Sequence, residues 1–304
     1  MDGFTISIVF RVISPKENYC PMCMENRIKD VLDNKAAYVK VKRGKGNIVI
    51  HIADSYKERK CKRKISKICQ LLKRVFKNIE ILEAEAIPFY DKIPEKLYLY
   101  RDWNEYTKEI FKYNELYLSS PIDFNDPFDC RIKVYDEDKE INELVSNAKI
   151  RCFSEKYDDI LMWSHYAASH SGICIEFDAK KIKKKEIIGD FLQVRYVDKM
   201  PHYVTDKQIN LKRSVSCKYI NWEYEKEYRL LVRNWEKNTY HFPKEAITKV
   251  YIGCRADNER VLEICDMLES SIKIFVMKKR EKEFSLKEEA VEEWLEKWEE
   301  QKKC

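Results

Sequence analysis

Apolar residues recur along this chain in two rhythms. Met24, Ile28, Val31 and Leu32 fall on one face of a 3.6-residue helix, as do Ile65, Ile68, Cys69, Leu72 and Val75. Residues 4–13 and 38–52 carry strand-like apolar content, the second stretch as two runs about the turn Arg43-Gly44-Lys45-Gly46-Asn47, which predicts a hairpin. A last strand near Ile79 to Ala84 completes the order βαββαβ over residues 1–86, and Pro88 and Pro94 punctuate a linker at 87–95.

Residues 96–304 predict a second, larger mixed α+β domain. It opens with a strand, Lys96-Leu97-Tyr98-Leu99-Tyr100-Arg101, and a helix near 103 to 113, followed by Leu116 to Pro121 and the turn Asn125-Asp126-Pro127. Cys152-Phe153-Ser154, Ile160 to Ala167 and Gly172 to Phe177 then read as a strand-helix-strand unit. Beyond it, Trp222 to Arg233 and Thr248 to Gly253 read as strands, Glu259 to Leu268 as a helix and Ile272 to Met277 as a strand. Leu286, Ala290, Trp294, Leu295 and Trp298 stand at helical spacing, which predicts an amphipathic C-terminal helix.

Composition narrows the class. A chain of 304 residues with 44% apolar residues and only 6 Gly has enough apolar surface for a substantial core, which argues against disorder. It has no run of 18 apolar residues and no basic n-region with a long apolar stretch at its start, so a soluble, cytoplasmic protein without membrane contact is expected. The eleven cysteines are odd in number and scattered through apolar runs, the pattern of reduced core thiols. The net charge of +6 is unevenly spread: between Lys40 and Lys77 fourteen Lys or Arg face two acids, Asp54 and Glu58. Such a patch is either a solvated face or an electrostatic handle for nucleic-acid phosphates.

Cys20-Pro21-Met22-Cys23 precedes the first predicted helix. Two thiols so spaced at a helix N-terminus are able to hold one soft ion, Cu(I) or Zn(II), or to serve redox chemistry. The βαββαβ order suits a ferredoxin-like domain, and with this motif it resembles the heavy-metal-associated domains. The resemblance departs at Asn18, where those domains carry Met, and at Pro21 between the thiols. The third predicted strand, Asn47 to Ile52, lacks the aromatic platform that RNA-recognition modules of the same order require.

In the larger domain, His165 and His170 are five residues apart, about 140° on a helix, which disfavours a shared metal with Cys174. Trp222 to Arg229 alternates strictly, so a strand would set Glu223, Glu225, Glu227 and Arg229 on one face. Three carboxylates there must be solvated, paired with cations, or used against developing positive charge.

From Leu97 to about Met277 the blocks Tyr100-Arg101, Leu116 to Pro121, Phe124 to Asp129, Cys152-Phe153-Ser154, Met162 to Ala167 and Glu225 to Arg229 resemble, taken together, a bacterial and archaeal domain family of unknown function. The same blocks place Asn125, Asp126, Trp163, His165, Tyr166 and Arg229 among the candidate binding residues. The order of polar residues is also similar to the Arg-Ser-Glu pattern of ADP-ribosyltransferases. That resemblance implies a transferase-like fold and NAD as substrate, with Arg101 on its phosphates and ribose, and Ser154 orienting the nicotinamide ribose. It gives Glu227 the oxocarbenium-like centre and Glu225 the acceptor. The expected activity is ADP-ribosyl transfer to a macromolecule or NAD hydrolysis, of the kind found in defence or toxin-type effectors. The alternatives are a non-catalytic nucleic-acid- or protein-binding module using residues 40–77, and a metal or thiol sensor using Cys20 and Cys23.

Overall fold

A computed structural model describes residues 4–12, 21–32, 38–43, 48–54, 58–76, 79–88, 93–131, 143, 145–182, 189–201, 207–232 and 237–303. The chain is a mixed α+β protein of two compact units. One comprises Met1–Asp91, Phe128–Ser146 and Val197–Cys217, and the other Lys92–Pro127, Asn147–Tyr196 and Lys218–Cys304.

In the first unit, β1 (Phe4–Val12), α1 (Pro21–Val31), β2 (Tyr38–Arg43), β3 (Ile48–Asp54), α2 (Glu58–Val75) and β4 (Ile79–Pro88) follow the predicted order. The sheet runs β2-β3-β1-β4, antiparallel throughout. Strand alternation explains the core: Ile6, Ile8 and Phe10 of β1, Ile50 and Ile52 of β3 and Val41 of β2 bury one face against Met24 and Ile28 of α1 and Cys61, Ile68 and Leu72 of α2. Each such side chain contributes about 1.5–3 kcal/mol of burial. The expected turn at Gly44 to Asn47 lies outside the described residues.

The second unit is ordered by β5 (Lys96–Arg101), α3 (Glu105–Tyr113), β6 (Glu115–Tyr117), β7 (Lys149–Ser154), α4 (Ile160–Tyr166), β8 (Ile173–Asp178), α5 (Ala179–Ile182), β9 (Gly189–Gln193) and β10 (Arg195–Val197). After α6 (Lys207–Val215) of the first unit come β11 (Cys217–Tyr219), β12 (Glu227–Val232), β13 (Thr239–His241), β14 (Ile247–Ile252), α7 (Asn258–Met267), β15 (Lys273–Lys279), β16 (Leu286–Ala290) and α8 (Val291–Lys303). Eight strands form one sheet, β16-β15-β14-β8-β5-β7-β12-β9, in which β14 and β15 are parallel and joined through α7, while β6 and β13 pair separately. Helix starts follow capping chemistry: Asn104, Asp159 and Asp257 accept backbone N–H bonds at the first turns of α3, α4 and α7.

Both faces of the large sheet are covered. Leu97, Leu99, Phe153, Ile173, Ile175, Phe177, Tyr228 and Leu230 point to an aliphatic face. Tyr98, Tyr100, Cys174 and Tyr251 point to the opposite, tyrosine face, where Met162 and Trp163 of α4 cover them. Two expectations are corrected. The strand expected over Trp222 to Arg233 is a 3-10 turn, Ile220–Glu225, followed by β12, because Lys226 takes the left-handed conformation (φ 44°) and donates its N–H to the Glu223 carbonyl. The helix expected from Leu286 begins only at Val291, since Leu286–Ala290 hydrogen-bonds as a sheet edge to β15.

The connection into β8 is tightly tied to the end of β14. Ala168, Ser169 and His170 all have positive φ, Gly253 donates its N–H to the Gly172 carbonyl at 2.8 Å, and Arg255 donates to the His170 carbonyl at 2.9 Å. A Cβ on Gly253 would stand 2.1 Å from the His170 oxygen, and one on Gly172 2.3 Å from the Arg101 oxygen. Gly253→Ala is therefore expected to destabilise the fold by about 2 kcal/mol or more, read as a lower denaturant midpoint. A wild-type midpoint would show that this approach is relaxed at no cost.

Candidate functional site

Sequence neighbours alternate across a strand, and cross-strand partners share a face, so the ladders decide which predicted residues meet. On the tyrosine face the register aligns Lys249, Glu176, Tyr98, Ser154 and Glu227 across five strands. Ser154 and Glu227 are direct partners, and Arg229, two residues on, stands opposite Cys152 on the same face.

A buried ladder of charges gathers about the start of β12. Lys218 Nζ lies 2.5 Å from Glu225 Oε2 and 3.3 Å from Glu227 Oε2. Arg229, fully buried, grips Glu227 with two bonds, Nε to Oε1 at 2.8 Å and Nη2 to Oε2 at 2.9 Å. Tyr166 donates its hydroxyl to Glu225 Oε1 at 2.6 Å, and Asn125 Nδ2 stands 3.4 Å from that hydroxyl. Ser154 Oγ donates to the Glu225 carbonyl at 2.7 Å and accepts the Lys156 N–H at 3.1 Å. Tyr196 receives the Glu227 backbone N–H at 2.8 Å. Aromatic rings border the ladder: Phe124 over Arg229 at 5.3 Å, Trp222 over Lys218 at 4.9 Å, and His165 at 6.1 Å from the Tyr224 ring.

The two carboxyls titrate in opposite directions. Burial raises Glu225, with Glu227 adding to the rise and Lys218 opposing it. Burial would raise Glu227 as well, but Arg229 and then Lys218 outweigh it and hold its pKa at about 2. Burial, then Glu225, raises the Tyr166 hydroxyl, so that group stays a donor. Burial, then Glu227, raises the Cys152 thiol, which argues against a thiolate there. A second buried carboxylate, Glu176, is satisfied by Thr248 Oγ1 at 2.7 Å, Tyr251 at 3.0 Å and Lys96 at 3.2 Å, and serves as an anchor.

The predicted residues divide accordingly. Ser154, Glu225, Glu227, Arg229, Tyr166 and Asn125 come together. Trp163 is wholly buried, donates Nε1–H to the Tyr157 carbonyl at 2.7 Å and packs edge-on against Tyr100. His165 is exposed on α4, and Asp126 is buried in the turn after the Pro121–Asp123 3-10 helix. Glu223, expected to share the acidic face, is exposed and pairs with Lys226. Arg101 follows Leu99 by two residues and so points to the aliphatic face, away from Ser154 and Glu227. Cys23 is exposed near the start of α1, and Cys20 lies outside the described residues. Among the described residues no group of three or more His, Cys, Asp or Glu is arranged to hold a metal ion. None of their helices is long and apolar enough to cross a membrane. The sequence reading missed Lys218 and Tyr196, which have no motif around them and enter only through the fold.

Residues 162–230 match the family described as Protein of unknown function (DUF2971), a segment that runs from within α4 through the ladder from Lys218 to Arg229. No curated protein and no solved structure matches the chain.

The depressed Glu227 sets a pH dependence. A carboxyl whose folded pKa lies below its ordinary 4.5 stabilises the fold fully above that value and progressively less as pH falls toward 2. Unfolding free energy is expected to drop across that window and to drop less steeply in Arg229→Met. Lys218→Met, which leaves two buried carboxyls facing each other, should cost about 3–5 kcal/mol at pH 7 in denaturant titration. A loss below about 1 kcal/mol would show that water enters the ladder.

Proposed function

We propose that the second unit cleaves the N-glycosidic bond of a nucleotide, with NAD as the substrate the ADP-ribosyltransferase resemblance names. The observation that carries the reading is the pair Glu225 and Glu227, two carboxyls two residues apart that share the Lys218 ammonium and whose surroundings push their titrations in opposite directions. Glu227, held ionised by Arg229 and Lys218, fixes the charge of the site. Glu225, raised and hydrogen-bonded to Tyr166, takes the proton of the attacking acceptor, water or a macromolecular nucleophile. The C1′–N bond breaks with its electron pair on nicotinamide, and the acceptor oxygen or nitrogen forms the new bond at C1′. Ser154 holds the Glu225 backbone, and Arg101 has no part in this step. The two fold readings belong to the same proposal: a ferredoxin-like first unit, supported by the order β2-β3-β1-β4, and a transferase-like second unit, supported by the Ser154–Glu227 pairing.

Nicotinamide release from NAD by the full chain, followed by chromatography with protein and nucleic-acid acceptors present, is expected to fall at least ~100-fold in Glu225→Gln. In the wild type the rate should rise with pH as Glu225 loses its proton. Intact NAD under all acceptor conditions removes this function.

One observation favours a second reading, nucleic-acid docking on the first unit. The exposed side of α2 carries Lys62, Arg63, Lys67, Lys73 and Arg74, with no carboxylate between Arg59 and Val75. This reading expects affinity for a duplex or single strand to fall steeply with salt, and the log–log slope to lose about 0.7–0.9 per cation neutralised in Lys62→Gln, Arg63→Gln and Lys67→Gln. A slope unchanged by all three assigns the stripe to solvation. The thiol-metal reading needs Cys20 beside the exposed Cys23, and Cys20 lies outside the described residues.

A further inference from the structure

On the aliphatic face of the second unit two guanidiniums stand close enough to repel, and among the described residues no carboxylate forms an ion pair with either. Arg101 ends β5 and Arg151 lies in β7, each two residues from an aliphatic-core position, Leu99 and Phe153. The ladder between these strands is one pair long, Tyr98 with Ser154. Further along β7 the partner is instead Ser119, which exchanges two backbone bonds with Ile150 at 2.8 and 2.9 Å. The pairing of β5 with β7 therefore stops short of the two arginines, and the Ser119 backbone takes the place beside β7.

The local chemistry is one-sided. Arg151 is 8% exposed, and among the described residues its one hydrogen bond is Nη1 to the Tyr117 carbonyl at 3.1 Å. Its Nε, and the Nε of the half-buried Arg101, have no hydrogen-bond partner among the described residues. Neither guanidinium is within ion-pair distance of a described carboxylate. Burial lowers both, Arg151 to about 10 with the charge of Arg101 adding to the fall, and Asp102 offsets only part of the effect on Arg101. Like charges with unsatisfied donors are costly to bury unless an anion completes them. Two planar forks match the several oxygens of one tetrahedral phosphate better than they match any single carboxylate.

We propose that Arg101 and Arg151 form an oxyanion site for a phosphate group, free or carried on an ester, on the opposite side of the sheet from Glu225. The site is independent of the glycosidic reading. Arg151 supplies the buried, pre-set fork, and Arg101, the more exposed of the two, is the side from which the anion enters.

Calorimetric titration of the full chain tests it, with inorganic phosphate in one arm and adenosine monophosphate in the other, each against sodium chloride at equal ionic strength. Saturable binding of about one equivalent is expected in at least one arm; phosphate alone identifies the free ion, and the nucleotide alone an ester. Arg101→Gln and Arg151→Gln should each weaken binding at least ~10-fold, while Lys282→Gln, an exposed cation remote in sequence, leaves it unchanged. Should Arg151→Gln fail to fold, Arg101→Gln at the half-exposed position decides alone. Heats indistinguishable from the chloride control in both arms, or wild-type affinity in Arg101→Gln, overturn the proposal.

Discussion

Four buried charged side chains gathered about the start of β12, Glu225, Lys218, Glu227 and Arg229, set the constraint to which the second unit is built. Each charge alone would cost several kcal/mol to remove from water, and the set is tolerable because the signs alternate and every charge has an opposite partner within hydrogen-bonding distance. The local backbone follows. Glu227 must face Lys218 from the first position of β12, and Glu225 must reach the same ammonium from the other side. A continuous strand would set the two carboxyls along one row; the left-handed Lys226 instead folds the chain so that they clasp the lysine. Ser154 then holds the Glu225 carbonyl, tying the turn to β7.

The sheet separates its chemistry by face. Acids with tyrosines occupy one side, and the guanidiniums of Arg101 and Arg151 the other. A motif of Arg, Ser and Glu read in order along the chain assumes that all three converge. One residue of offset in β5 decides otherwise, because the side-chain period in a strand is two. Ser154 and Glu227 therefore share one face of the sheet, while Arg101 stands on the other.

The start of β8 is held by backbone rather than by side chains. Three consecutive non-glycine residues with positive φ, 168 to 170, are costly by themselves and persist because Gly172 and Gly253 allow the strands to close on them. This fixes the start of β8, and through its register the positions of Glu176, Tyr98 and Ser154.

The sequence by itself determined the strong periodicities: the βαββαβ order with its apolar helix faces, the strand-helix-strand unit at the centre, and the residue types of the acidic segment. These were legible because apolar spacing and burial are local consequences of one another. It misassigned Trp222 to Glu225 and Leu286 to Ala290, where alternation or helical spacing fitted two conformations equally and tertiary hydrogen bonds chose. Only the tertiary structure could recruit Lys218 and Tyr196, turn Glu223 outward, and place Arg101 behind the sheet. Those outcomes depend on register and on the pairing of distant charges, and neither leaves a trace in the spacing of residues along a chain.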